Sequence, residues 1–214
     1  MKRSAAEILR EYGPFPDVEK VGGVTYDGRQ VWIAAGDRLN AFDPASGETQ
    51  RSFEMPAHAG TAFDGEHLFQ IAENRIHKID PKSGKVLASI PAPGGGGDSG
   101  LAWAEGTLWV GQYRERKIHQ IDPETGAILR TIPSSRFVTG VTWVDGELWH
   151  GTWEDEKGDL RHIDPKTGEV LETLDMPEGM TVSGLESDGS GRFFCGGGNS
   201  GKVRAVRRPK GQGN

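Results

Sequence analysis

Three side chains in this sequence are candidates for proton transfer: Glu186, His150 and Glu73. Glu186 interrupts a repeated strand pattern, because the matching positions hold small or hydroxyl-bearing residues. A carboxylate in a crowded inner strand is costly unless it is paired, so Glu186 is either a satisfied structural acid or a functional one. His150 also interrupts the repeat and is either a hydrogen-bonded core residue or a functional base. Its matching positions hold Ile33, Gln70, Val110 and Cys195.

A second group of residues combines aromatic, amide and charged side chains in the irregular loops. This combination suits a small polar or amide-containing ligand. His58 and Asp98 could join His150 as metal ligands or as an acid/base pair, but no His-x-x-x-His spacing supports a metal, so we predict neither a metal nor a cofactor. The predicted ligand-binding residues are Trp153, Tyr113, Gln112, Gln70, His58, Asp98 and Arg136.

These candidates must be positioned by a repeated element of about forty residues. One segment recurs in similar form along the chain, and each copy begins at a glycine. The spacings between successive glycines are 37, 40, 40 and 44 residues. A period near 40 with several short strands per unit is typical of propeller blades. We therefore predict an all-β, five-bladed β-propeller with four-stranded antiparallel blades, forming a single domain over residues 1–214. The blades begin near Gly23, Gly60, Gly100, Gly140 and Gly184.

Turn chemistry separates the strands of each unit. An Asp-Gly or Glu-Gly pair follows the first strand, where glycine supplies the positive φ of a tight hairpin. An Asp-Pro-x-[Ser/Thr]-Gly turn follows the third strand, at 43–47, 80–84, 122–126 and 164–168. The last unit ends before a fourth strand appears. Residues 6–13 align with 126–133 and supply it, although alone they resemble a short amphipathic helix; we predict the strand.

The loops on one face of this propeller vary from blade to blade, whereas the turns on the other face are nearly identical. Variation within a repeat marks the face where function is usually found. Just before each repeat glycine stands a small residue, and this ring predicts an open throat to the central channel. Its members are Gly22, Ala59, Ser99, Thr139 and Ser183.

Composition excludes several classes of function. The net charge of −6 argues against nucleic-acid binding, which needs a clustered basic face. No apolar run approaches the roughly 18 residues of a membrane span, and no signal-peptide core follows the first residues. The single cysteine, Cys195, fits a reducing compartment and is predicted to be buried and inert. We therefore expect a cytoplasmic protein without nucleic-acid or membrane partners.

The repeat pattern G-[LV]-x-[WY]…L-[WF]…D-P-x-[ST]-G-x-[VI]-L resembles the plant- and bacterial-type glutaminyl cyclases. That resemblance implies a five-bladed propeller and the conversion of an N-terminal glutamine to pyroglutamate. The family places a catalytic Glu after a Leu-aromatic pair of a second strand. The nearest match here begins Leu68-Phe69, and Gln70 occupies the place of that Glu. Glu73 or Glu186 could substitute for it, with Trp153, Tyr113 and Gln112 lining the pocket.

Two hypotheses follow for function. The first is a glutamine-cyclotransferase-like propeller with a small-molecule or peptide site at the throat, whose chemistry would be metal-independent acid/base work on an amine- or amide-containing substrate. The alternative is a non-catalytic scaffold that binds a protein partner or ligand through its loop face. It predicts contacts from Phe137, Met180 and the acidic segment 154–156.

Overall fold

The computed structural model describes residues 1–211 as five β-sheets. Residues 212–214 of the predicted domain lie outside the described part of the chain. Within it, no helix is long and apolar enough to cross a membrane. The strands are β1 (Lys2–Ala5), β2 (Ile8–Tyr12), β3 (Gly23–Tyr26), β4 (Val31–Ala34), β5 (Gly36–Phe42), β6 (Thr49–Ala57), β7 (Thr61–Phe63), β8 (Leu68–Ala72), β9 (Arg75–Ile79), β10 (Val86–Pro91), β11 (Asp98–Ala104), β12 (Thr107–Gln112), β13 (Lys117–Ile121), β14 (Ile128–Pro133), β15 (Val138–Val144), β16 (Glu147–Glu154), β17 (Lys157–Ile163), β18 (Val170–Asp175), β19 (Leu185–Ser187), β20 (Arg192–Gly196) and β21 (Val203–Arg207).

Each sheet is one blade, with its first strand innermost. Blade 1 contains β3–β6, blade 2 β7–β10, blade 3 β11–β14 and blade 4 β15–β18, and all neighbouring strands within these sets are antiparallel. Blade 5 has the order β19-β20-β21-β2, so the N-terminal strand β2 is its outer strand. The predicted five-bladed propeller is confirmed, and so is its closure by an N-terminal strand.

The N-terminus contributes one strand more than the sequence predicts. Strand β1 lies parallel to β18 and makes blade 4 five-stranded. Arg3 donates two hydrogen bonds of 2.8 Å to the Asp175 carboxylate, which holds β1 on this edge. The repeat has no counterpart of this strand, so comparison of the repeats could not predict it.

The Asp-Pro turns have the geometry that their residues require. The Asp43 carboxylate accepts a hydrogen bond of 2.8 Å from the Ala45 amide, an Asx-turn. Gly47 closes this turn with a φ of +80°, a conformation that disfavours other residues. The same two features recur in blades 2, 3 and 4. This face of the propeller is therefore built from uniform turns.

The core lies between neighbouring blades. The aromatic residue at the fixed place of the second strand is buried in every blade. Trp109 of blade 3, for example, packs against Val141 of blade 4, and its ring stacks on Trp143 with centroids 5.3 Å apart. These large apolar side chains fill the wedge between two sheets, so hydrophobic burial holds each blade to the next.

The repeat glycines allow the innermost strands to approach one another closely. A Cβ built on Gly140 would lie 2.2 Å from the backbone nitrogen of Leu185 in blade 5. On Gly60 it would lie 2.4 Å from the backbone nitrogen of Leu101. Each repeat glycine meets the next blade in this way, and Gly184 meets Val24, which completes the ring. The glycines are required by this close approach, since none of them has a positive φ.

Candidate functional site

The throat of the propeller contains the predicted ring of small residues, all five of which line one cavity of about 370 Å³. Two of their hydroxyl groups join neighbouring blades. Ser99 donates a hydrogen bond of 2.8 Å to the Val138 carbonyl, and Ser183 donates one of 2.6 Å to the Val21 carbonyl. The small side chains keep the throat open, and their hydroxyl groups fix its outline.

Four of the predicted ligand-binding residues line this cavity: His58, Asp98, Tyr113 and Trp153. They come from blades 2, 3 and 4, so the propeller brings together residues up to 95 positions apart in the sequence. Lys20 and Thr181, which the repeat pattern did not predict as site residues, also line the cavity. Lys20 stands two residues before Gly22, which belongs to the ring of small residues at the throat. This closeness in the sequence is the signal that could have identified Lys20.

Asp98 is the buried carboxylate of the throat, with 7% of its surface exposed. The Gly94 amide donates to both of its carboxylate oxygens at 3.0 Å, and Gln112 approaches one of them through Nε2 at 3.5 Å. Burial raises the pKa of Asp98 above its ordinary value, and the Gly94 and Gln112 hydrogen bonds oppose this shift. These hydrogen bonds therefore fix the Asp98 carboxylate in position and compensate its negative charge only in part.

The aromatic residues of the throat form a fixed wall. The Tyr113 hydroxyl donates a hydrogen bond of 2.9 Å to the Trp153 carbonyl, which ties blade 3 to blade 4. Phe137 packs on Tyr113 with centroids 4.8 Å apart, and the Arg116 guanidinium lies 4.6 Å above the Phe137 ring. Burial raises the pKa of Tyr113, so the phenol stays protonated. Phe137 is thus half-buried within the loop face.

A second cavity of about 240 Å³ adjoins the throat and shares His58, Ala59 and Asp98 with it. Glu73 borders this cavity from an exposed turn between β8 and β9, where its φ is +54°. Gly96 also lines this cavity, close to the Glu73 backbone. Of the three predicted proton-transfer residues, Glu73 is the one that lies beside these cavities.

Glu186 lies in the central channel, outside the lining of the throat cavity. Its carboxylate accepts hydrogen bonds from Thr142 of blade 4 and, at 2.9 Å, from Thr25 of blade 1. The Ser187 amide donates a further bond of 2.9 Å. The channel desolvates the carboxylate and raises the pKa of Glu186 to about 7, although these three donors oppose the shift. Glu186 therefore joins its own blade 5 to both neighbouring blades, 4 and 1.

His150 is buried in the second strand of blade 4 and does not line the throat cavity. Its Nδ1 lies 3.0 Å from the Gly151 carbonyl. Burial lowers the pKa of His150 to about 4, so the imidazole is neutral at pH 7. This environment gives His150 the properties of a core histidine.

The remaining predicted site residues support the walls of the throat. Gln70 is fully buried and donates hydrogen bonds to the Ala59 carbonyl at 3.0 Å and to the Ile71 carbonyl at 2.8 Å, so it fixes one member of the throat ring. Arg136 donates to the carbonyls of Glu154 and Lys157 at 3.0 and 2.9 Å. It thereby holds the hairpin that carries Trp153.

Residues that were predicted to contact a protein partner form contacts within the molecule instead. Glu154 pairs with Arg116, and Met180 packs against the core cluster between blades 4 and 5. In residues 1–211 no group of three or more His, Cys, Asp or Glu side chains could hold a metal ion.

Cys195 is buried, and burial raises the pKa of its thiol to about 12. The thiolate is the form that reacts with alkylating reagents, so we expect no modification of the native protein by iodoacetamide at pH 8. Mass spectrometry after one hour of incubation measures this. The same protein in urea is the control, and it should be modified completely. Rapid modification under native conditions would contradict the buried position.

Comparison with known proteins gives one family match and a set of similar structures. A family model described as outer membrane protein assembly factor BamB matches residues 72–213. No curated protein sequence matches the chain. The matched segment contains Asp98, Tyr113 and Trp153, but it does not contain Lys20 or His58.

The glutaminyl cyclase of Myxococcus xanthus is similar in structure, with a TM-score of 0.80 and 19% identity, over 96% of this chain and 97% of that one. The virginiamycin B lyase of Staphylococcus aureus matches with a TM-score of 0.54 and 17% identity, over 94% of this chain and 70% of that one. The predicted resemblance to glutaminyl cyclases is thus confirmed for the fold. Identities this low show the fold alone.

Proposed function

We propose that this chain, which belongs to the family described as outer membrane protein assembly factor BamB, binds a small amine- or amide-containing ligand in the throat of its propeller. One observation carries the proposal: a single cavity brings the buried carboxylate of Asp98 together with His58, Tyr113 and Trp153. A concave site with an aromatic wall and a few convergent polar groups is the usual form of a small-molecule site.

Asp98 is the residue that would recognise the amine. Its carboxylate keeps acceptor capacity beyond the bonds from Gly94 and Gln112, because a carboxylate accepts about four hydrogen bonds. A raised pKa also means that a cation beside Asp98 would relieve an uncompensated charge. The Tyr113 and Trp153 rings would cover the apolar part of the ligand.

Asp98 and His58 would carry any acid/base chemistry, with Glu73 in the adjoining cavity as a third titratable group. For an N-terminal glutamine, the amine nitrogen would attack the side-chain amide carbon and form the ring C–N bond. Asp98 would first take a proton from the ammonium group, which gives the neutral amine that attacks. It would return this proton to the nitrogen of the cleaved amide, which leaves as ammonia, and would then accept the proton that the new ring nitrogen loses. A raised pKa suits a group that both accepts and returns a proton.

We expect Asp98→Asn to weaken the binding of a Gln-initiated dipeptide at least about tenfold, because the amine loses its ionic partner. Isothermal titration calorimetry measures binding, and an ammonia assay measures cyclisation. Glu178→Gln is the matched control, since Glu178 is exposed and lies outside both cavities. Unchanged binding in Asp98→Asn would show that the ligand does not bind in the throat. The same would follow if binding were lost only in Glu186→Gln or His150→Gln.

A second candidate is a protein-interaction scaffold, which the description of the family as an assembly factor favours. Such a scaffold would bind a longer peptide segment across the loop face, where Lys20 and Asn199 are exposed. Peptide length separates the two candidates. A ten-residue peptide with the same first two residues should bind no tighter than the dipeptide if the throat alone is the site, and at least about tenfold tighter if the loops bind a partner chain.

A further inference from the structure

The throat contains two opposite charges that lack ionic partners of their own. Asp98 forms no ion pair with any residue in 1–211, and neither does Lys20. On the same face Lys202 pairs with Glu11 and Arg116 pairs with Glu154. The lining of one cavity therefore contains a cation and a carboxylate that have no ionic partners among residues 1–211.

The two charges belong to different sides of the throat. Lys20 precedes β3 of blade 1, whereas Asp98 begins β11 of blade 3. Blade 2 lies between them in the ring, so the charges face the cavity from walls that are not adjacent. Among the described lining residues Lys20 is the only lysine or arginine, and Asp98 is the only carboxylate.

Neutral hydrogen-bonding groups line the cavity together with Lys20. The isolated bridge between Val21 and Gly198 holds the chain beside Lys20 against the loop of blade 5. That loop contributes Asn199, and the neighbouring segment contributes Thr181 and Ser183 to the lining. The Ser183 hydroxyl donates to the Val21 carbonyl, so the Asn199 amide and the Thr181 hydroxyl are the neutral donors that, together with the ammonium group, suit a carboxylate.

We infer that the ligand of the throat is a zwitterion, a free amino acid or a dipeptide, whose amine faces Asp98 and whose carboxylate faces Lys20. This inference rests on the proposed function, which supplies the amine site, and it adds the carboxylate site. A ligand with both charges would neutralise both unpaired groups at once. The cavity of about 370 Å³ lies at the small end of the range of ligand sites, which fits a molecule of this size.

The test compares each zwitterion with its own α-amide, which keeps the amine and lacks the carboxylate. L-glutamine, L-leucine and glycylglycine are titrated by calorimetry at low ionic strength, each against the corresponding amide. We expect at least one zwitterion to bind about fivefold tighter than its amide. Lys20→Gln should abolish that preference by weakening the zwitterion alone, whereas Asp98→Asn should weaken both forms. Lys202→Gln, on the same face but outside the lining, is the control variant.

Equal affinities for zwitterion and amide would overturn the inference and leave the proposed amine site standing. The same conclusion would follow if Lys20→Gln weakened both forms alike. Failure of every zwitterion and every amide to bind the wild-type protein would overturn the inference and the proposed function together. Lys20 is exposed, so its variant should keep the wild-type melting temperature and report on binding alone.

Discussion

Replacing Gly140 with alanine is expected to lower the free energy of unfolding by roughly 3–5 kcal/mol, because the new Cβ has no space. The atom would lie 2.2 Å from the backbone nitrogen of Leu185 and 2.6 Å from the Leu185 Cβ. Both belong to the innermost strand of the next blade, so no flexible side chain can move aside. This steric clash can be relieved only if blades 4 and 5 separate, and their separation would disturb the closure of the whole ring.

Urea denaturation measures this effect, and a shift in melting temperature of about 10 °C should accompany it. Gly191→Ala is the matched control. A Cβ on Gly191 meets nothing within 4 Å, and its φ is not positive, so we expect a change of less than about 0.5 kcal/mol. If the two alanine variants proved equally stable, the close approach of the inner strands would be wrong.

Replacing Glu186 with glutamine is expected to stabilise the protein above pH 7, by at most about 3 kcal/mol, and to have little effect below pH 4.5. The pKa of Glu186 is raised from an ordinary value of 4.5 to about 7 by burial in the channel. The folded protein therefore binds this proton more tightly than the unfolded chain. The resulting stabilisation is fully present below pH 4.5 and is lost as the pH rises through 7.

The measurement is the free energy of unfolding of both proteins between pH 4 and 9. Their difference isolates Glu186, because His150 is present in both. His150 acts in the opposite direction: its pKa is lowered to about 4, so its contribution is lost as the pH falls from 6.5 through 4. Glu178→Gln is again the exposed control. A difference between wild type and Glu186→Gln that does not change with pH would falsify the raised pKa.

Comparison of the repeats predicted the architecture well because each blade is specified by its own local residues. The glycine at or near the start of every inner strand, the aromatic residue of every second strand and the Asp-Pro turn recur at nearly constant spacing. The same spacing located the missing outer strand of blade 5 in the N-terminal segment, where β2 lies. Strand β1 was not predicted, because this additional edge strand has no counterpart in the other repeats.

The candidate site was predicted less completely. His58, Asp98, Tyr113 and Trp153 line the throat, because irregular residues in the loops and strand ends of one face converge on the channel mouth. His150 and Glu186 also interrupt the repeat, but they lie inside their strands rather than at the ends and line neither cavity. An interruption of the repeat identifies an unusual polar residue. The depth of that residue along the channel then decides whether a ligand could reach it.

The sequence by itself determined the number of blades, their turns and the closure of the ring, since short-range patterns encode all three. The tertiary structure decided which polar residues meet. Glu186 accepts a hydrogen bond from Thr25, 161 positions away, and Lys20 shares a cavity with Asp98. Such pairs form only when five blades surround one axis. Burial and opposite charge then act between residues that no local pattern relates.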